Sequence, residues 1–510
     1  MLKRPAALAP SGAPARGRPS LLDANGRIVG RAAERVARHL EARGQPAGPS
    51  LAARVRDHVY ERDRRRDYVA AATRYLRGKK PDLHRRYDVV LVGAGIHAAT
   101  FLTIVKRRRP ALEVLIVERS ESVCSTFARL GDSLILNSPT SSKVGLNANV
   151  VPGHFIQLSD FDELAARTFP TAKHLHELAT MMLLHADADV VFDFDVRAIE
   201  SCAEGYRVSS GDSLARGTSV VIANGMGDPR LDTFAQDRAS ARTMRGDEFI
   251  RTCHDDTQFL DRLSGTTVAV VGAGDTANCA MECLLPLTYP RREYSPLTNV
   301  TLGPETVYWI GQPAADVRDY YFANKQRYCY SGGLIEYFWQ GEEPFDLPRE
   351  TWSRTRSRIR CLPDKLASVT HGDGCLELDV GGASLQVDLV VDCTGRSNAQ
   401  SSAFQQQDYE YVEGDVHFLG GRRDQDLDQY VVAARHLAHR RIACKRKGER
   451  VFLIGSACPV CELIDDEEAR DGTLQHQESR TSITNSKWSL EHTLPRTAAF
   501  AEQVARLGRP

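Results

Sequence analysis

YDVVLVGAGIHAATFLTIV, residues 87–105, decides the fold. A β-branched apolar run at Val89–Val92 reads as a buried strand, two glycines follow at Gly93 and Gly95, and an apolar helix runs on from Ile96. In such a unit the first glycine makes the tight turn and the second lets backbone approach a pyrophosphate. The small third residue, here Ala98, lets the helix pack on the strand. The helix N-terminus adds unpaired N–H groups and a positive dipole for phosphates. The next strand, VLIVE at residues 114–118, ends in Glu118, placed to accept hydrogen bonds from ribose hydroxyls. A lone glycine pattern marks only a turn; strand, turn, helix, strand and terminal acid together predict a dinucleotide site.

The same construction returns 179 residues later in TTVAVVGAGDTANCAMECLL, residues 266–285, with Gly272, Gly274, Thr276 and Ala277 at the corresponding places. Two nucleotide-binding units therefore share one chain. The strand after the second turn, VYWIG, runs into Gln312 instead of an acid, with Arg318, Lys325 and Arg327 just beyond. Without a carboxylate to hold a free 2′-hydroxyl, and with cations near, a 2′-phosphate is the easier fit, so NADPH is expected over NADH. Between the units the pattern predicts a helix over 174–185 and strands over 190–196, 206–209 and 219–225. After the second unit come a strand pair near 375–387, DLVVDCTGR at 388–396 and RVFLIGSA at 450–457, the last returning to the first domain.

The chain has 510 residues, 42% hydrophobic and 26% charged, which excludes collagenous, membrane-embedded and small disulfide-stapled classes. The formal charge is zero, but residues 1–86 carry +13 and the remainder −13. Residues 1–20 read as disordered and 21–86 as a basic helical arm, with helical periods at Ala33, Val36, Ala37 and Leu40 and again at Tyr68, Ala72, Tyr75 and Leu76. We expect this arm to dock on an acidic surface of its own protein, of a second copy or of another partner; the acidic run Asp465–Glu468 is one such seat. LLDANGRIVGRAAERVARHL, residues 21–40, resembles the opening of a ribosomal protein, and a nucleic-acid-binding arm is the alternative reading. Twelve cysteines without framework spacing, and no secretory apolar region after Met1, predict reduced thiols and a cytoplasmic protein. The longest uncharged apolar stretch, 17 residues from Val89 to Val105, is broken by Gly93, Gly95 and His97, so no membrane span is expected.

GAGDTA resembles the nicotinamide-binding turn of two-dinucleotide flavoproteins such as thioredoxin reductases and flavin monooxygenases, and the resemblance extends over about 420 residues from Tyr87. It implies an α/β fold in which an FAD-binding Rossmann-type domain, residues 87–228 and 389–510, carries an inserted NADPH-binding Rossmann-type domain, residues 229–388. Asn224-Gly225 and Thr394-Gly395 mark the crossings. The cofactor contacts implied are Gly93, Gly95, Ala98, Glu118, Asn137, Gly395 and Gly455 for FAD, and Gly272, Gly274, Thr276, Ala277 and Arg318 for NADPH.

Three further stretches resemble the ornithine and lysine N-hydroxylases: LNSPTSSK with Asn137 and Lys143, YYFANKQ with Asn324, and WSLEHTL at 488–494. Asn stands where that family has Gln, the lysine is one residue late, and Lys325 replaces a glutamate. The resemblance implies a monooxygenase that N-hydroxylates a small amine or amino acid with O2, through a flavin C4a-hydroperoxide, with Lys143 and Asn324 as the catalytic contacts. Cys458-Pro459-Val460-Cys461 supports a different activity, a flavin-dependent disulfide reductase. In thioredoxin reductases, however, such a pair precedes the nicotinamide turn, and no such pair lies between Ile222 and Gly272. A third reading is a flavin-containing binding protein whose arm engages nucleic acid. No metal site is expected, and His97 and His492 read as ordinary satisfied polar side chains.

Overall fold

Strand β1 (Arg86–Val92) is central to the first sheet, and its apolar run is buried on both faces, as parallel strands require. The computed structural model describes residues 61–134, 136, 158, 161–165, 170–225, 227–229, 242–256, 258–284, 303–311, 339, 349–372, 374–397, 409–415, 417–420, 430–433, 441–458 and 490–507. Parallel to β1 lie β2 (Val114–Val117) on one side and β6 (Ser213–Ile222) on the other. Outside these run β3 (Asp189–Val191) and β21 (Val451–Leu453), also parallel to their neighbours. Antiparallel strands β4 (Ala198–Cys202) and β5 (Gly205–Ser210) fold back from β6, while β20 (Arg441–Arg446) and β17 (Tyr409–Glu413) extend the sheet past β21.

The two-residue period of β1 divides the core. Val89 and Leu91 face a cluster built with helices α1 (Arg62–Gly78), α2 (Ile96–Arg108), α3 (Ala172–His185) and α6 (Leu490–Leu507). Val90 and Val92 face the opposite cluster, with Val208 of β5 and Cys444 of β20. α1 is thus part of the first unit's core, contributing Tyr68, Val69, Ala71, Ala72 and Leu76.

After β6 the chain enters a second sheet, all parallel, in the order β11 (Ile359–Leu362), β10 (Thr306–Ile310), β9 (Thr267–Val271), β15 (Leu389–Asp392), β8 (Thr243–Arg245). α4 (Gly246–Asp255) and α5 (Asp275–Leu284) pack against it. A three-stranded antiparallel sheet of β12 (Leu366–His371), β13 (Leu376–Val380) and β14 (Ala383–Val387) covers its other face. Outgoing β7 (Asp228–Pro229) and returning β16 (Arg396–Ser397) pair antiparallel where the chain passes between the units. Beyond the return, β18 (His417–Gly420) and β19 (Tyr430–Ala433) form a separate pair. The fold is therefore a Rossmann-type unit with a second one inserted.

Several elements differ in extent from the sequence pattern. The strand expected over 190–196 stops at Val191, because Asp193 adopts φ +57° and turns the chain. The helical period at Tyr68–Leu76 belongs to a longer helix that begins at Arg62. The helix over 33–40 and the acidic run 465–468 lie outside the described residues. Among the described residues no helix is long and apolar enough to cross a membrane, and no disulfide joins the ten cysteines.

Candidate functional site

The two glycine turns are built alike. Gly93 N–H donates to Val117 O at 2.8 Å, and Ala223 N–H to Val92 O at 2.8 Å. In the second unit Gly272 N–H donates to Ile310 O and Cys393 N–H to Val271 O, each at 2.8 Å. Each turn thus sits between the end of the strand that follows it and the end of the strand that crosses over. Both first glycines hold positive φ, +98° at Gly93 and +122° at Gly272. A Cβ at Gly93 would lie 2.7 Å from Asn224 Cα, and one at Gly272 within 2.6 Å of the Cys393 carbonyl carbon. Only glycine fits either place.

The second glycines are different. A Cβ on Gly95 would have its nearest neighbour 4.0 Å away, at Ala223 O, and one on Gly274 would meet nothing within 4 Å. That open space is what an approaching pyrophosphate would need, and the first N–H groups of α2 and α5 follow directly. Ala98 and Ala277 are fully buried where helix meets strand, as their small size requires. Both cradles therefore fit a dinucleotide, at the carboxyl ends of parallel strands where such ligands bind.

Glu118, nearly buried at the end of β2, accepts from Ala94 N–H at 2.7 Å and from Ser120 N–H at 2.9 Å. Each carboxylate oxygen can accept again, so capacity remains for ribose hydroxyls. In the second unit β10 runs out at Gly311, φ +108°, and Trp309 Nε1–H donates to Gly272 O at 2.8 Å, pinning the turn from behind. Sequence reasoning missed that role, although a tryptophan in a buried strand usually finds an acceptor for its N–H. Thr276 is exposed, while Thr394 N–H and Oγ1–H both donate to Asp392, closing the turn that leads to Gly395.

Gly455, φ +78°, does not face open space: a Cβ there would lie 2.8 Å from the His97 ring. His97 itself is buried, with Nδ1 3.1 Å from Thr497 Oγ1 and Nε2 3.3 Å from Ser456 Oγ. Burial holds this imidazole down at about 4, so it is neutral near pH 7. Cys458 is buried with its thiol 3.5 Å from Cys444 Sγ, in the core on the β4–β5 side of the sheet. Asn137, Lys143, Gln312, Arg318, Asn324, Lys325, Arg327 and Cys461 lie outside the described residues, as does the His492 side chain.

The arm meets this body through buried charge. Arg65, fully buried on α1, donates from Nε to Glu177 Oε2 at 2.6 Å, pairs with Glu163, and stacks 3.9 Å from the Phe161 ring centroid. Burial pushes the Glu163 carboxyl up, but the His174 hydrogen bond and Arg65 outweigh it and bring it down to about 2. Thr171 N–H donates to His174 Nδ1 at 2.8 Å, so Nε2 carries the proton given to Glu163 at 3.0 Å. Thr171 Oγ1 in turn donates to Asp132. This chain of bonds ends beside Leu134, which packs on the second unit's core, and Leu136, which packs on the first's.

No family model matches the chain, and no curated sequence matches it. Solved structures align with it at low identity. A bacillithiol disulfide reductase from Bacillus cereus is 12% identical, with 83% of this chain and 100% of that one covered and a TM-score of 0.47. An ornithine N-hydroxylase from Kutzneria sp. 744, determined with reduced FAD, NADP+ and L-ornithine, is 15% identical over 83% and 100%, TM-score 0.46. A lysine monooxygenase from Nocardia farcinica is 15% identical over 62% and 84%, TM-score 0.37. At these scores none of the likenesses bears on activity.

Proposed function

We propose that the chain is an oxidoreductase that holds FAD at the Gly93 turn and NADPH at the Gly272 turn. The observation that carries this reading is the matched construction of the two turns, each closed at its first glycine and open at its second. The N–H groups opening α2 and the Glu118 carboxylate would bind the FAD pyrophosphate and ribose. Gly274 and the start of α5 would bind the second pyrophosphate. When bound, the flavin supplies the hydride-accepting and electron-transferring chemistry. Protein yellow on purification, with one FAD released per chain, supports the first site; colourless protein that binds no added FAD contradicts it.

Within that class we favour a monooxygenase that N-hydroxylates a small primary amine or amino acid, with O2 as co-substrate. The resemblance at Asn137, Lys143, Asn324 and 488–494 supports this, as does the chain position of Asn137, one residue after the Leu134–Leu136 contact with both units. A nucleophilic substrate must offer a lone pair, yet an alkyl ammonium of pKa near 10.4 is neutral in only about one molecule in two thousand at pH 7. Lys143 could lower that pKa by like charge and hold a substrate carboxylate, and Asn324 could hold the other end. Hydroxylamine formed per NADPH consumed, over a panel of amino acids and diamines, tests the assignment. If no amine is hydroxylated while a disulfide is reduced, the reductase reading replaces it.

A further inference from the structure

His97 occupies the glycine turn's own helix, two residues after Gly95, yet both its ring nitrogens are spent on segments far along the chain. Thr497, 3.1 Å from Nδ1, belongs to α6, and Ser456, 3.3 Å from Nε2, to the turn after β21. The ring also fills the space beside Gly455, where even a methyl group would collide at 2.8 Å. Thr497 is fully buried and His97 nearly so, which shields their contact from water, while Ser456 is half-buried. Each hydroxyl can donate or accept, so the neutral ring is satisfied in either tautomer.

From this three-way contact we infer that His97 is a positioning residue for the flavin dinucleotide, locking the Gly455–Ser456 turn and the C-terminal helix α6 to the start of α2. The inference rests on the assignment of FAD to the Gly93 turn. Phosphate binding at a helix N-terminus depends on N–H groups held in place beforehand, because a loosely held cradle must be ordered when the ligand arrives. The side chain beneath the cradle should therefore set flavin affinity without touching flavin. Thr497, 400 residues away in sequence, should act through it.

The test is a double-mutant cycle read in FAD affinity: apoprotein titrated with FAD for wild type, His97→Ala, Thr497→Val and the double variant, with NADP+ binding measured alongside. Thr497→Val keeps the side chain's shape and removes only the hydroxyl, which guards against an unfolded His97→Ala. We expect each single variant to weaken FAD about tenfold or more, the double to be no weaker than His97→Ala, and NADP+ binding to stay within twofold. His97→Gln, which keeps a polar group in the space, should recover part of the loss. Single-variant effects under twofold, effects that multiply in the double variant, or equal weakening of FAD and NADP+ overturn the inference. Wild-type protein that binds no FAD overturns the underlying assignment instead.

Discussion

Gly93 and Gly95 stand two residues apart and should respond to substitution in opposite ways. Gly93→Ala forces a side chain into φ +98° and to 2.7 Å from Asn224 Cα, which should cost about 3 kcal/mol or more of stability, seen as a lower urea midpoint. Gly95→Val enters open space, so the apoprotein should melt near wild type while FAD affinity drops about a hundredfold, ~2.7 kcal/mol. His97 gives a pH signature at the same scale. Its folded value of about 4 lies below the unfolded value of about 6.5, so the unfolded chain binds a proton that the native ring refuses. Its contribution is intact above about pH 6.5 and is lost as pH falls toward 4. Between pH 7 and 4.5, wild-type apoprotein should lose about 2.5 kcal/mol more stability than His97→Gln, measured by urea unfolding. Both glycines were legible in the sequence because their constraint is local. His97 was legible as a satisfied polar side chain but its partners were not, since Ser456 and Thr497 lie 359 and 400 residues off and no spacing marks them.

At the scale of elements, α1 is the part least like its sequence. An arginine-rich helix reads as a solvated face, and five of its arginines are exposed, but Arg65 is not. Its place is set by Glu163 and Glu177, 98 and 112 residues away, which no periodic pattern can announce. The arm was expected to dock on an acidic surface of its own protein or of a partner; of its two helical stretches only that of α1 is described, and it packs on its own chain with Arg65 against Glu163 and Glu177. Removing the guanidinium leaves two carboxylates facing each other in a buried site, so Arg65→Ala should destabilise by about 3–5 kcal/mol. Arg65→Ala combined with Glu177→Ala should recover part of that loss. Thermal melts of the singles and the pair check this; a change under about 1 kcal/mol for Arg65→Ala would show that α1 docks by its apolar face alone. The glycine-turn elements, by contrast, were readable almost to the residue, because strand, turn and helix each carry their own short-range signal. What sequence left open was extent: the end of β3 at Val191 depends on a single aspartate turning at positive φ.

Across the whole molecule, the inserted arrangement follows from order along the chain: β6 leads out through β7, β16 leads back, and β21 rejoins the first sheet beside β6. Two cradles, each at the ends of parallel strands, are what the proposed reading requires: one unit to hold a reductant and the other to hold the cofactor that receives its electrons. The choice of final acceptor is less legible, because it rests on short stretches around Asn137, Lys143 and Asn324 whose departures from the N-hydroxylase pattern are as numerous as their matches. The central claim, hydride transfer from the Gly272 unit to a flavin in the Gly93 unit, is tested most directly by anaerobic stopped-flow reduction. NADPH should bleach the bound flavin of wild-type protein. Gly274→Val should retain its flavin but need about a hundredfold more NADPH for the same rate, since its side chain fills the open second cradle. Flavin-loaded Gly274→Val reduced as readily as wild type, or wild-type flavin that NADPH does not bleach, would contradict it.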